Sequence, residues 1–275
     1  MKTAIRIREP VVEGIFYPVD STELNQLVGT FIDESPRGAH DALAVVSPHA
    51  GYEFCGSCIG ASFSAARERP IETIILVAPV HREPADEIFL TESDGFRTPL
   101  GIARVATHLT HELESCSTRI IRNDIPHFEE HSIEVQLPFA QHLFPTARIV
   151  PILLGRASQS NVRALAGAIE TVFGSDYRSI LFVISSNLCS NCEPGRAKTE
   201  TELLQALIEK GDAEVLLDRF HRGDITACGA GCIASLLMLS LPRLRVDFHT
   251  QCDSGSERVD AATFYGALTL HSQAI

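Results

Sequence analysis

The chain alternates short, fully apolar runs with stretches of helical period. Residues 42–52, Ala-Leu-Ala-Val-Val-Ser-Pro-His-Ala-Gly-Tyr, and residues 74–81, Ile-Ile-Leu-Val-Ala-Pro-Val-His, are runs of the first kind, and each closes on Pro and a histidine, His49 and His81. An apolar, β-branched run of this length bounded by Pro or Gly predicts a buried parallel strand. The Ala- and Ser-rich segment 56–67 between them predicts a short helix, so the unit reads as βαβ. Further buried strands are predicted at 148–155 and 179–186, a short one near 88–91, and two closing strands at 244–252 and 262–271.

Helical spacing appears at 22–34, where Leu24, Leu27, Val28 and Phe31 share a face and Asp20 or Ser21 offers the N-cap. It recurs at 105–116, 158–173, 198–210, 212–220 and from Cys228 to Leu241. Ile133, Leu137, Ala140 and Phe144 form another stripe, with Pro138 inside it predicting a kink. Residues 9–20 read as an irregular arm and 94–101 as a turn-rich loop. With strand and helix alternating and no repeat or linker in view, the prediction is an α/β fold: a single domain over 1–275, with a central mixed, largely parallel sheet flanked by helices.

Composition narrows the function classes. A net charge of −12 over 275 residues argues against nucleic acid or an anionic membrane as partner. The N-terminus lacks an apolar signal core and no run reaches transmembrane length, so a cytosolic protein is expected. Eight cysteines, at 55, 58, 116, 189, 192, 228, 232 and 252, are then expected as reduced thiols or metal ligands rather than disulfides. The two C-x-x-C pairs, Cys55/Cys58 and Cys189/Cys192, lie far apart and each follows strand-like residues, which speaks against a zinc ribbon.

Ligands in open α/β sheets bind at the carboxyl ends of strands. His49 and His81, both delivered there, form a candidate metal or catalytic pair; a lone histidine after a strand would read as an ordinary loop residue. Glu129, Glu130, His131 and Glu134 gather at the start of the 133–144 stripe. Carboxylates there suit the helix dipole, whereas His131 is expected to be neutral and hydrogen-bonding.

Several segments in order resemble the MEMO family, known in bacteria and archaea as AmmeMemoRadiSam system protein B. They are Val12-Glu-Gly-Ile-Phe-Tyr-Pro, Ser47-Pro-His-Ala-Gly-Tyr with Cys55-Gly-Ser-Cys, Ala78-Pro-Val-His, Phe96-Arg-Thr-Pro-Leu-Gly and Glu130-His-Ser-Ile-Glu-Val-Gln-Leu-Pro-Phe. Pro151-Ile-Leu-Leu-Gly, Ser185-Ser-Asn, Ala227-Cys-Gly and Gly266-Ala-Leu-Thr complete the set. The resemblance implies a class III extradiol dioxygenase (LigB)-like fold and a metal site of two histidines and a cysteine, which by motif are His49, His81 and Cys228. Such a donor set suits iron(II) or copper, and zinc also fits. By motif position, His131 and Tyr52 are expected as catalytic pocket residues, with Phe16, Asn187, Ser190 and Cys192 lining the pocket.

One departure stands out. The family pattern Ser-Ser-Asp-x-x-His is here Ser185-Ser186-Asn187-Leu188-Cys189-Ser190, so its Asp and its acid/base His are Asn187 and Ser190. His131, Cys189 and Cys192 are the candidate substitutes. The resemblance thus implies a metal-dependent, oxygenase-like or redox enzyme acting on a small molecule or peptide, alongside radical-SAM and AMMECR-type proteins. The alternatives are a non-catalytic metal- or peptide-binding protein, favoured by Asn187 and Ser190, and a thiol enzyme pairing Cys228 with His49 or His81. The acidic chain would permit a homodimer.

Overall fold

The computed structural model describes residues 5–35, 38, 40–82, 86–241, 244–253 and 262–272. An arm carrying β1 (Ile7–Arg8) leads into α1 (Ser21–Asp33), where the Asp20 side chain accepts the Thr22 and Glu23 amides. β2 (Ala44–Ser47), α2 (Tyr52–Ser64) and β3 (Thr73–Pro79) follow. Then come β4 (Ile88–Leu90), β5 (Gly95–Thr98), β6 (Gly101–Arg104), α3 (Thr107–Cys116) and β7 (Ile120–Arg122). A short α4 (Ile125–Glu129) and a 3-10 turn (Glu134–Gln136) precede α5 (Leu137–Leu143), β8 (Arg148–Leu154), α6 (Gln159–Phe173) and β9 (Ile180–Ser185). The chain closes with β10 (Cys189–Cys192), α7 (Pro194–Lys210), α8 (Ala213–His221), α9 (Ala230–Leu237), β11 (Leu244–Asp253) and β12 (Ala262–Ser272).

Among the described residues the main sheet has nine strands in the order β10-β12-β2-β9-β3-β8-β4-β7, with β11 paired on β12. The central β2, β9, β3 and β8 are parallel, and antiparallel pairings enter at β12 and β4. The result is the expected mixed α/β sheet flanked by helices. Its central strands are apolar except at their ends because both faces are covered. Ile75 and Val77 of β3 and Phe182 and Ile184 of β9 pack with α6, α8 and α9 on one face. Ile74 and Leu76, and Leu181 and Val183, pack with α1, α2 and α5 on the other.

Four local expectations change. β9 lies between β2 and β3, so the two histidine-bearing strands are not neighbours. Residues 94–101 are no loop: β5 and β6 pair as a hairpin that also takes β1. The stripe at 133–144 is not one kinked helix. A 3-10 turn ends where α5 begins, and Pro138 sits in the first turn of α5, where its missing N–H breaks no helical bond. α2 starts at Tyr52, which places Cys55 and Cys58 on a buried helix rather than after a strand.

α2 packs closely on α1. A Cβ on Gly60 would stand 2.5 Å from the Phe31 carbonyl oxygen, a backbone atom that cannot rotate away. Gly60→Ala is therefore expected to force the two helices apart and lower stability by about 1–3 kcal/mol, read as a fall in the urea midpoint at unchanged m.

Candidate metal centre

Parallel β2, β9 and β3 end on the same edge of the sheet, with Ser47 in register with Ser185 and Val77 with Ile184. His49, Asn187 and His81 follow those ends within two residues. Cys228 arrives from the other direction, just before α9. His49, His81 and Cys228 each present a ligand atom, and these atoms all lie within 4.8 Å of one another. The Cys228 Sγ is 3.3 Å from His49 Nε2.

Each imidazole is fixed by its far nitrogen. Ser185 Oγ donates its proton to the Ser132 carbonyl (2.7 Å), so it can only accept from His49 Nδ1–H (2.8 Å). His49 Nε2 is thereby turned towards Cys228. Gln136 supports this arrangement: it takes a bond from Ser47 Oγ (2.8 Å) and donates to the Pro48 carbonyl (2.7 Å). His81 Nδ1–H points at the Glu130 carboxylate (3.0 Å), which also accepts the His81 amide (3.0 Å). A carboxylate behind a ligating histidine sets its tautomer and raises its basicity.

The electrostatics follow from these contacts. Burial works against a charged His81, but the hydrogen bonds it donates to Cys228 and Glu130 outweigh this and hold the ring up at about 10. Burial also disfavours the Glu130 carboxylate, yet the His81 contact and the Ser132 amide keep it down at about 2. Burial would push the Cys228 thiol up. The His49 and His81 rings and the Asn187 backbone amide (3.2 Å) instead bring it well below its ordinary value, which favours the thiolate. The residue after it is constrained: a Cβ on Gly229 would meet the Ser186 Cβ at 2.5 Å, and only glycine lets this turn sit against β9.

The remaining sequence candidates divide. His131 joins the cluster. Its ring stacks on His81 at 5.5 Å and meets His49 at 5.7 Å and Phe16 edge-on at 5.2 Å. Burial first, then the neighbouring rings, lower it to about 4, so it is neutral as expected but a weak proton acceptor. Asn187 also joins, but as a clamp: its side-chain oxygen takes the His49 amide (3.0 Å) while its own amide points at Cys228. Tyr52 stands apart. Its hydroxyl donates to the Val135 carbonyl (2.8 Å) and its ring packs on Tyr17, Phe31 and Phe139. Ser190, on β10, is tied through its amide to Thr226 Oγ1 (3.2 Å). Cys192 is not a spare thiolate, because it is disulfide-bonded to Cys189 in a small apolar cluster with Ala197 and Phe264. This overturns the expectation of reduced thiols at that C-x-x-C pair.

Sequence reasoning missed Ser185, Gln136 and above all Glu130, which it assigned to a helix dipole. No helix starts there: Glu130 follows the last residue of α4 and is 4% exposed. The segment is pinned from behind by Arg8, which donates to the His127 (3.0 Å) and Glu130 (2.7 Å) carbonyls and pairs with Glu134. Glu130→Gln is expected to keep the fold but weaken metal binding by about 10–100-fold, measured by competition with a chromophoric chelator.

The donor set fits a soft-to-borderline transition metal: two imidazole nitrogens with fixed tautomers and one preformed thiolate. No helix among the described residues is long and apolar enough to cross a membrane.

Comparison with known proteins agrees with the motif reading. A family model described as Memo-like protein matches residues 8–261. A MEMO1 family protein of Thermotoga neapolitana is 30% identical over 95% of this chain and 99% of its own. Another, TV1383 of Thermoplasma volcanium, is 30% identical over 85% of this chain and 86% of its own. A solved structure, of the uncharacterized protein JW3007 from Escherichia coli K12, aligns with a TM-score of 0.46 and 12% identity over 82% of this chain and 98% of that one. The chain belongs to the Memo-like protein family.

Proposed function

We propose that this chain is a metal-dependent oxidoreductase of the oxygenase type, holding iron(II) or copper on His49, His81 and Cys228 and acting on a small molecule or an exposed peptide group. The observation that carries the reading is the convergence of two imidazoles and the Cys228 sulfur, with both Nδ1 atoms bonded from behind, to Ser185 and Glu130. A thiol enzyme needs one such histidine, not two held in matched tautomers. A bound ion would supply an open coordination position at which substrate or dioxygen is polarised.

The protein's own groups divide the remaining work. Glu130 and Ser185 keep the imidazoles oriented, and Asn187 fixes the spacing of His49 and Cys228. His131 and Phe16 form an uncharged wall beside the histidines, which suits an aromatic or apolar substrate face. Proton transfer by the residue at position 190 is ruled out by its chemistry, since a serine needs its own base.

The test is elemental analysis of anaerobically purified protein, followed by oxygen-uptake assays with catechols and peptides. Stoichiometric iron or copper with substrate-dependent oxygen uptake supports the reading. Bound metal with no uptake for any substrate favours the second reading, a metal- or peptide-binding protein. Asn187 is the observation behind that alternative, because its carboxamide, which accepts the His49 amide through Oδ1, neither takes up nor releases a proton near neutral pH.

A further inference from the structure

A second cluster lies at the other end of the sheet. β12 runs antiparallel to β2, pairing Leu268 with Val46 and Leu270 with Ala44, so His271 sits beside the start of β2, opposite the edge that carries His49. β11 pairs with β12 so that Arg245 faces His271 and Asp247 faces Thr269. Side chains two apart on a strand share a face. Asp247 of β11 therefore lies on the same face of the hairpin as Thr269 and His271 of β12, and His249, at the register shift after Phe248, reaches that face through its contact with Thr269.

The contacts show a buried imidazole prepared from behind. His271, 2% exposed, donates Nδ1–H to the Asp41 carboxylate (2.7 Å), which turns Nε2 into the cluster. That Nε2 faces Thr269 Oγ1 at 3.0 Å and the Asp247 carboxylate at 3.7 Å. His249 Nε2 reaches the same hydroxyl at 2.6 Å. The Thr269 hydroxyl thus joins the two rings, and the Asp247 carboxylate closes the remaining side of the cluster. Asp247, His249 and His271 each offer one ligand atom, all within 4.8 Å of one another.

We propose that Asp247, His249 and His271 form a second divalent-cation site, of zinc type, with Asp41 as the carboxylate that orients His271. Two imidazoles and one carboxylate are a borderline donor set suited to zinc. Ligand atoms that share a zinc at ~2.0–2.1 Å lie roughly 3.3 Å apart, so the 3.7 Å between His271 and Asp247 closes with a small side-chain adjustment. Asp247 and His249 are partly exposed, which leaves an entry path from solvent. Arg245 holds the same Asp247 oxygen at 2.9 Å and competes with a cation for it. The site differs from the first in lacking a thiolate, and it stands whether or not the first centre is catalytic.

The experiment is a cobalt(II) titration followed by absorption, with zinc content measured in parallel. Wild type is expected to take two equivalents, one of them with a thiolate-to-cobalt charge-transfer band. Cys228→Ser is expected to lose that band and keep one equivalent with d–d bands alone. Adding His249→Gln or Asp247→Asn, both at partly exposed positions, is expected to remove this equivalent. Asp41→Asn is expected to weaken it about 10–100-fold. Arg245→Gln, which frees the Asp247 carboxylate, is expected to tighten it severalfold, an effect no merely structural role for the cluster would give. The proposal is overturned if the Cys228→Ser protein binds no cobalt, if its cobalt survives both His249→Gln and Asp247→Asn, or if ring-nitrogen NMR at neutral pH shows a doubly protonated His271 that zinc does not change.

Discussion

Cys228→Ser is expected to abolish the thiolate-ligated metal equivalent while leaving the fold intact. The side chain keeps its size, and its neighbours keep a polar atom to meet: the Asn187 amide and the His49 ring both reach this position. What is lost is the preformed anion. A serine hydroxyl stays protonated near neutral pH, so the site becomes two imidazoles without a charged donor, and affinity should fall by more than about 100-fold, beyond the range seen for second-sphere changes. The readout is disappearance of the charge-transfer band in the cobalt protein, with an unchanged circular dichroism spectrum as control. A pH dependence comes with it. In the metal-free site His81 is held at about 10 and is protonated at neutral pH, whereas the Cys228 thiol is held well below its ordinary value. Binding must displace the His81 proton, so uptake should release about one proton and the apparent affinity should rise with pH up to about 10, roughly tenfold per unit. Tight metal binding unchanged in Cys228→Ser would remove this centre from the functional argument.

Breaking the Arg8–Glu134 pair is expected to be the largest stability effect in the molecule. Both side chains are fully buried, and Glu134 is the hub. Besides Arg8 it accepts the Val11 amide (2.9 Å), the Val12 amide (3.0 Å) and the Tyr17 hydroxyl (2.6 Å). Arg8→Met leaves the carboxylate buried without its cation, at a cost of about 3–5 kcal/mol. At roughly 2–4 °C per kcal/mol for domains of comparable size, the melting temperature should fall by about 10 °C or more. Replacing both partners with apolar residues should not restore it, because two amides and a phenol would still lose their acceptor. Arg163→Gln, at an exposed pair with Glu214, serves as the control and should leave the midpoint within error. Since Arg8 also holds the His127 and Glu130 carbonyls, its loss should loosen Glu130 behind His81 and weaken metal binding in the protein that remains folded. An Arg8→Met protein that melts with wild type would show that the arm is not fastened as described.

Much of the core was readable because it depends on short-range pattern. The segments 74–78, 149–154 and 180–184 are apolar at every position, and strands that are covered on both faces require this. His49 and His81 stand immediately beyond such runs, so their place at a strand end followed from chain order. Cys228 was different: only the likeness to Memo-like segments connected Ala227-Cys-Gly to two histidines far upstream. The expected kink at Pro138 failed because a period of apolar residues does not mark where a helix begins. Glu130 was misread for the same reason, since the helix start assumed for it lies at Leu137.

By itself the sequence determined the alternation of strand and helix, the apolar faces, the acid balance and the two histidines carried to strand ends. These are properties of a few consecutive residues. Only the tertiary structure decided what those residues meet. It set β9 between β2 and β3, turned Glu130 onto His81 and Ser185 onto His49, joined Cys189 to Cys192, and placed Asp41 behind His271. The physical reason is that a buried polar group must find a partner, and the partner comes from wherever packing brings the chain back. Arg8 and Glu134 are 126 positions apart and Asp41 and His271 are 230 apart. No local pattern encodes a pairing across such distances.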